Sequence, residues 1–424
     1  MTTATPADRS PVDLRDPAQL LAALPYLIGF RPAKSVVLLG HLPPGHRPGL
    51  VLRGDLPRRE HRVHQARALA AKFAEGRHTG VTVVLVGGRR RPGKPPPHAG
   101  FIGDVANAVG EFGLPVVHAL WTPAITEGAP WACYRVEECG GELPDPRSTV
   151  AAAAATERGT VAFDSREELE ALLAPRSPEA VARRADLLSA RRSSLEATTV
   201  ADAASAFDRR RRGEGPPTGE EVMARRTDLL SAKQSASEAT AIPDVASTFD
   251  RRRRGEGPPT GAAKESEPMT VADAASVVRS AFDRQRRGEG PPTDEEAVML
   301  ASALKLPEIR DLCLAMAVPA GTTPAREAER LWLTLVRELP PPERAEPATL
   351  LAFTAYLRGD GTFAGMALDN ALKAAPGHLL ASLLRRVLDR GTPPQVIRGL
   401  AAAAAGPLSN FGLAPAEFDA DQAV

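Results

Sequence analysis

The residues that could do chemistry are few and scattered. In the stretch RGDLP, Arg53 and Asp55 alternate along a predicted strand and face the same side. They fall near the strand's C-terminal end, where open α/β sheets bind ligands. This pair is the first candidate for a ligand site; its plain alternative is a structural ion pair. Lys94 stands with three arginines in GGRRRPGKPPPHAG, a loop between a predicted strand and a predicted helix. Backbone N–H groups and a helix N-terminus there could cradle a phosphate. The loop matches neither the Walker pattern nor the dinucleotide fingerprint, and its four prolines point to a stiff solvent loop. His61 and His64, three apart on a predicted helix, could share a face toward a metal. No carboxylate or cysteine pattern completes that set, and Cys133 and Cys139 in CYRVEEC supply at most two ligands. No metal and no cofactor is therefore expected. No serine sits in a nucleophile elbow, so no catalytic constellation is complete.

The elements that must position these residues begin with a helix signal. Asp16 can cap, Pro17 suits the first helical position, and Leu20, Leu21, Leu24, Leu27 and Ile28 recur at helical spacing. Pro25 should kink this helix and Gly29 can end it. Four short apolar runs follow, SVVLLG, GLVLRGDLP, VTVVLVGG and LPVVHALW, with helical stretches between the later ones. That alternation predicts an α/β domain over residues 11–175, with a mostly parallel sheet of about four or five strands and flanking helices. It should close with helices near Ser148–Glu157 and Ser165–Leu173.

The composition then changes, and the chain repeats itself. FDRRRRGEGPPT ends at Thr218 and again at Thr260, and FDRQRRGEGPPT ends at Thr293. RRADLLSA at Arg183 returns as RRTDLLSA at Arg225, and TVADAAS at Thr199 returns at Thr270. Thr199 and Thr270 each precede an aspartate by three residues, which starts a helix. The arginines of the dodecamer fall in that helix's last turn, Gly-Glu-Gly-Pro-Pro stops it, and the final threonine caps the next helix. The dodecamer thus reads as a helix end, a turn and a cap. A nucleic-acid arm needs uncompensated positive charge, but Pro178–Thr293 holds 20 Lys and Arg against 18 Asp and Glu. Nucleic acid is not expected as a partner. Residues 176–292 read as a duplicated, partly helical and mobile insert.

Residues 293–404 read as an all-helical domain, with residues 1–10 and 405–424 as disordered tails. Within it Ala352, Ala364, Ala371 and Pro376, with Gly359 and Asp360 in the turn, follow the spacing of a tetratricopeptide-like helix pair. A net charge of +1 gives the whole chain no field to attract nucleic acid or anionic lipid. Three cysteines cannot build a disulfide framework, and no apolar run approaches a membrane span. A soluble cytoplasmic protein is expected.

Four segments carry a resemblance: PVDLRDPAQLLAALPYLIGFRPAKSVVLLG, RGDLP, IRDLCLA and LLAFTAYLRGDGTFAGMALDNALKAAPGHLLASLLRRVLDRGTPP. Together they resemble an uncharacterised actinobacterial family, domain of unknown function 4192, over about residues 11–175 and 293–400. The resemblance implies a cytoplasmic bacterial protein and supplies no activity. Relatives tend to carry a cysteine cluster after Trp131 that this chain lacks, and they lack its duplicated insert. The expected function is a non-catalytic binding or scaffold protein whose helical domain docks an unknown protein partner. The alternative is an enzyme or sensor that binds a phosphorylated small molecule in its α/β domain. The absence of a catalytic constellation leans against an enzyme.

Overall fold

A computed structural model of the chain describes residues 15–43, 47–74, 78–157, 161–193 and 269–404. The chain divides into two units, Met1–Ala185 with Met269–Val424, and Asp186–Pro268. The first two dodecamers and the second RRxDLLSA copy lie outside the described residues.

Helix α1 (Pro17–Ile28) begins and ends where its residues predict. The Asp16 carboxylate accepts from the Ala18 and Gln19 N–H groups at 2.9 and 3.2 Å, and Pro17 opens the helix. Gly29 ends it at φ 91°, a backbone conformation that favours glycine.

Six strands follow: β1 (Ser35–Leu42), β2 (Arg47–Asp55), β3 (Gly80–Val86), β4 (Val116–Thr122), β5 (Pro130–Cys133) and β6 (Gly140–Glu142). They form one sheet in the order β2-β1-β3-β4-β5-β6. The expectation of a mostly parallel sheet of four or five strands is corrected here. The sheet is mixed, and of its pairs only β3 with β4 is parallel. The physical reason lies in one insertion. Helices α2 (Arg62–Ala71) and α3 (Ala99–Glu111) are crossovers, so β2, β3 and β4 all run the same way. Strand β1 hairpins directly into β2 and then lies between β2 and β3, which makes both its pairings antiparallel. The result is a split β-α-β arrangement.

Both faces of the central strands are covered, as their continuous apolar sequence predicts. Val36 and Leu38, with Val81, Val83, Leu85 and Trp121, pack with Phe73 of the turn after α2 and with Phe101, Val105 and Val109 of α3. Helix α1 packs on β2 and on α4 (Val150–Glu157), burying Leu20, Leu21 and Leu24. Short helix α5 (Arg166–Ala171) is capped by the Ser165 hydroxyl, which accepts from the Glu168 N–H at 3.0 Å.

Helix α6 covers residues 178–193, and α7 (Val271–Arg286), capped by Thr270, contains the rest of the second TVADAAS copy and the start of the third dodecamer. The remaining elements are helical: α8 (Asp294–Leu304), α9 (Pro307–Ala315), α10 (Thr323–Glu338), α11 (Ala345–Leu357), α12 (Gly361–Ala374), α13 (Leu379–Asp389) and α14 (Pro394–Ala404). Helix α7, placed by its sequence in the insert, is packed: Ala274, Ala275, Val278 and Phe282 are buried, and Phe282 meets the Trp332 ring edge-on at 5.8 Å. Helix α11 is the centre of this region. Every residue from Pro347 to Leu357 is buried, and α11 contacts α8, α9, α10, α12, α13 and α14. A helix apolar on all sides belongs in a core. Its Thr349 and Thr354 hydroxyls satisfy themselves by donating to the Ala345 and Leu350 carbonyls.

Candidate functional site

Arg53 and Asp55 do come together. One Arg53 Nη lies 2.6 Å from the Asp55 carboxylate, and Arg53 Nε donates to Ser35 Oγ at 2.9 Å. The guanidinium carbon sits 5.9 Å from the Phe30 ring centroid, within cation–π range. Ser35 faces Asp55 across the β1–β2 ladder, so the sheet register itself builds the corner. Arg53 is mostly buried while Asp55 is mostly exposed. The guanidinium is therefore already held by a hydroxyl, a carboxylate and a ring. Lys94 lies apart, in the exposed loop after β3, where its carbonyl accepts from Arg90 Nε at 3.2 Å and its N–H donates to Arg91 O at 3.1 Å. It forms no ion pair with Asp55 among the described residues.

The histidines and cysteines are likewise dispersed. His61 is exposed beside Glu60 at 3.5 Å. Buried His41 shares a 2.8 Å hydrogen bond with the Thr82 hydroxyl. Cys133 and Cys139 are free thiols whose backbones pair, Cys133 N–H to Cys139 O at 2.8 Å. Burial, and then Cys133, push the Cys139 thiol above its ordinary value. Burial does the same to Cys313, which neighbours Glu346. Among the described residues no three histidines, cysteines or carboxylates are grouped to hold a metal.

The third dodecamer builds the joint its sequence describes. Helix α7 starts at a capping box between Thr270 and Asp273 and ends at Arg287, and Gly288 and Gly290 take positive φ. Thr293 then caps α8 in a second box with Glu296. The arginines are spent on carboxylates. Arg284 pairs with Glu296 at 2.7 Å and with Glu289 at 3.7 Å, and Arg286 with Glu327 at 2.9 Å. Burial raises the Glu296 carboxyl, but the Thr293 N–H and Arg284 outweigh it and hold it below its ordinary value.

A cleft lies elsewhere among the described residues, along α12. It encloses about 760 Å³ between α5 with the segment after it, Leu173 to Pro175, and the Met366, Asp369, Asn370 and Lys373 side of α12. Arg344 also lines it, its Nε donating to Leu339 O at 2.8 Å. Burial holds the Arg344 guanidinium below its usual value. Asn370 Oδ1 is buried in the cleft wall without a hydrogen-bond partner, an acceptor awaiting a donor. The walls thus mix apolar side chains with carboxylates (Glu167, Glu170, Asp369) and cations (Arg344, Lys373). Sequence reasoning reached α12 through its small residues and missed Arg344 and Asn370. The available signal was an asparagine set among apolar helical positions, where it must find a partner or stand at a surface.

The family described as domain of unknown function (DUF4192) matches this chain twice, over residues 17–233 and 217–395. The protein belongs to that family. No curated protein and no solved structure matches the chain. Among the described residues no helix is long and apolar enough to cross a membrane.

Proposed function

We propose that this protein is a non-catalytic binding protein of the cytoplasm, whose helical region docks a partner polypeptide along α12. The observation that carries the reading is the α12 cleft, with its mixed lining and its unpartnered Asn370 acceptor. A peptide offers such a surface both apolar side chains and backbone N–H donors. We read helices α11 and α12 as a tetratricopeptide-like pair: Ala352, Ala364 and Ala371 are buried, the two helices are in contact, and Pro376 follows the second. Repeats of that kind commonly present protein-binding grooves. The Arg53 corner favours the same reading, because its guanidinium is already engaged within the fold.

A photo-crosslinking residue at Lys373, compared with one at Arg287, tests this directly. The captured polypeptide, purified, should bind the intact protein and bind the Asn370→Leu and Asp369→Lys variants at least about tenfold more weakly. A thermal-shift screen against nucleotides and sugar phosphates tests the rival. A rise of several degrees with one ligand, abolished by Arg53→Ala, would replace the scaffold reading with a small-molecule sensor or enzyme.

A further inference from the structure

Cys133 and Cys139 face each other across the hairpin of β5 and β6. The ladder pairs Ala132 with Gly140, so its next step sets Cys133 opposite Cys139, and the Cys133 N–H donates to Cys139 O at 2.8 Å. Residues opposed in an antiparallel pair share one face of the sheet. Their Cα atoms lie about 4.5–5.5 Å apart, within the reach of a disulfide. The side chains meet as well: after burial, the charge and the hydrogen bond of Cys133 are what raise the Cys139 thiol. The Cys133 sulfur also accepts the Arg135 N–H at 3.4 Å.

Both residues are partly exposed, whereas Cys313, the third cysteine of the chain, is 1% exposed. Thiol–disulfide exchange needs an accessible sulfur whose negative charge is supported, and a second thiol close enough to resolve the first product. Cys133 meets the first need, because the Arg135 N–H and the Cys139 thiol both reach its sulfur. Cys139 meets the second through the strand register.

We propose that Cys133 and Cys139 form a reversible thiol–disulfide exchange site whose oxidant is the disulfide of a small thiol. The Cys133 thiolate attacks one sulfur of that disulfide, forms a mixed disulfide and releases one small thiolate. Capping Cys133 removes the negative charge that opposed ionisation of Cys139. Cys139 then gives its proton to water, and its sulfur attacks Cys133 Sγ. The Cys133–Cys139 bond forms, the mixed disulfide breaks, and the second small thiolate leaves. Two electrons pass from the protein's thiols to the small disulfide, and the two released thiolates take up the two protons. Closure ties β6, the edge strand of the sheet, covalently to β5.

Mass spectrometry of the full chain treated with oxidised glutathione tests this. The end product should have lost two hydrogens and should yield one peptide cross-linked between Cys133 and Cys139, with Cys313 still a thiol. Quenched early in acid, the mixed disulfide should sit on Cys133 at least about tenfold more often than on Cys139. In Cys139→Ser it should persist on Cys133. Closure should run at least about tenfold faster in the folded chain than in the chain unfolded in urea, because the hairpin holds the two sulfurs together. A mixed disulfide that never closes in the parent chain, early adducts shared equally by the two cysteines, or closure no faster folded than unfolded overturns the proposal. So does a chain in which neither cysteine reacts.

Discussion

Phe282 shows how one residue carries a repeat into the fold. It is nearly fully buried and meets Trp332 edge to face at 5.8 Å, so truncating it removes both apolar area and a ring contact. Phe282→Ala should cost about 3–5 kcal/mol in urea unfolding. A loss under about 1 kcal/mol would mean that α7 is not part of the core. His78 is the opposite case, a polar ring set against glycines. A Cβ on Gly40 or Gly49 would fall 2.5 or 2.9 Å from the His78 ring, so only the bare backbone lets it lie there. Its ring also meets Phe73 at 5.2 Å, and Nδ1 is buried without a partner. Burial disfavours the imidazolium and lowers the pKa below 6.5. The unfolded chain then binds the proton more readily, so this contribution to stability is complete above pH 6.5 and declines as the pH falls below it. An NMR titration of the ring should give a midpoint under 6.5; a midpoint at or above it contradicts the packing described.

At the scale of elements, the joint between α7 and α8 is the most legible feature and the most exposed to acid. Thr293→Ala removes one half of a capping box and should cost about 1 kcal/mol, read by chemical denaturation. Glu296, Glu289 and Asp294 all have lowered pKa values. For Glu289 the first cause is its hydrogen bond from Arg287; for Asp294 burial works the other way and the two α6 arginines outweigh it. Carboxylates with depressed values stabilise above their unfolded pKa, and that stability is lost as the pH falls through the folded values. Exchange at the start of α8 should therefore accelerate below the ordinary carboxylate range, ahead of exchange in α11. Uniform acceleration would contradict a local acid-sensitive joint. The caps at Asp16, Thr270 and Thr293 were legible because a cap is decided within four residues. Strand direction was not. Nothing local to SVVLLG states that β1 inserts between β2 and β3, because that choice depends on which partners remain once two crossovers have been laid down. The α12 cleft was hidden for a similar reason, since Arg344, Asn370 and α5 meet only through the tertiary packing.

For the whole molecule, the repeats make a deletion experiment with an exact register. Removing Arg183 to Ala224 joins Ala182 to Arg225, so Arg225, Arg226 and DLLSA take the places of the lost residues. Loop closure depends weakly on length, by about 0.6 kcal/mol per doubling. The shortened protein should melt within a few degrees of its parent. Removing Arg183 to Ala232 leaves no arginine pair in that register and should lower the melting temperature by roughly 5 °C or more, because Asp294 and Glu338 lose the contacts made to them by Arg183 and Arg184. Equal melting of the two deletions would show that the Arg184 contacts with Asp294 and Glu338 contribute nothing.

The all-round burial of α11 also fixes an order of events during synthesis. Of the helices that precede it, α8, α9 and α10 pack against a centre that has not yet been made. From Asp294 to Leu357 the ribosome adds 64 residues, which at roughly 5–20 residues per second takes about 3–13 s. Through that interval those three helices lack the element they pack on. A pause in translation just before α11 would lengthen that interval.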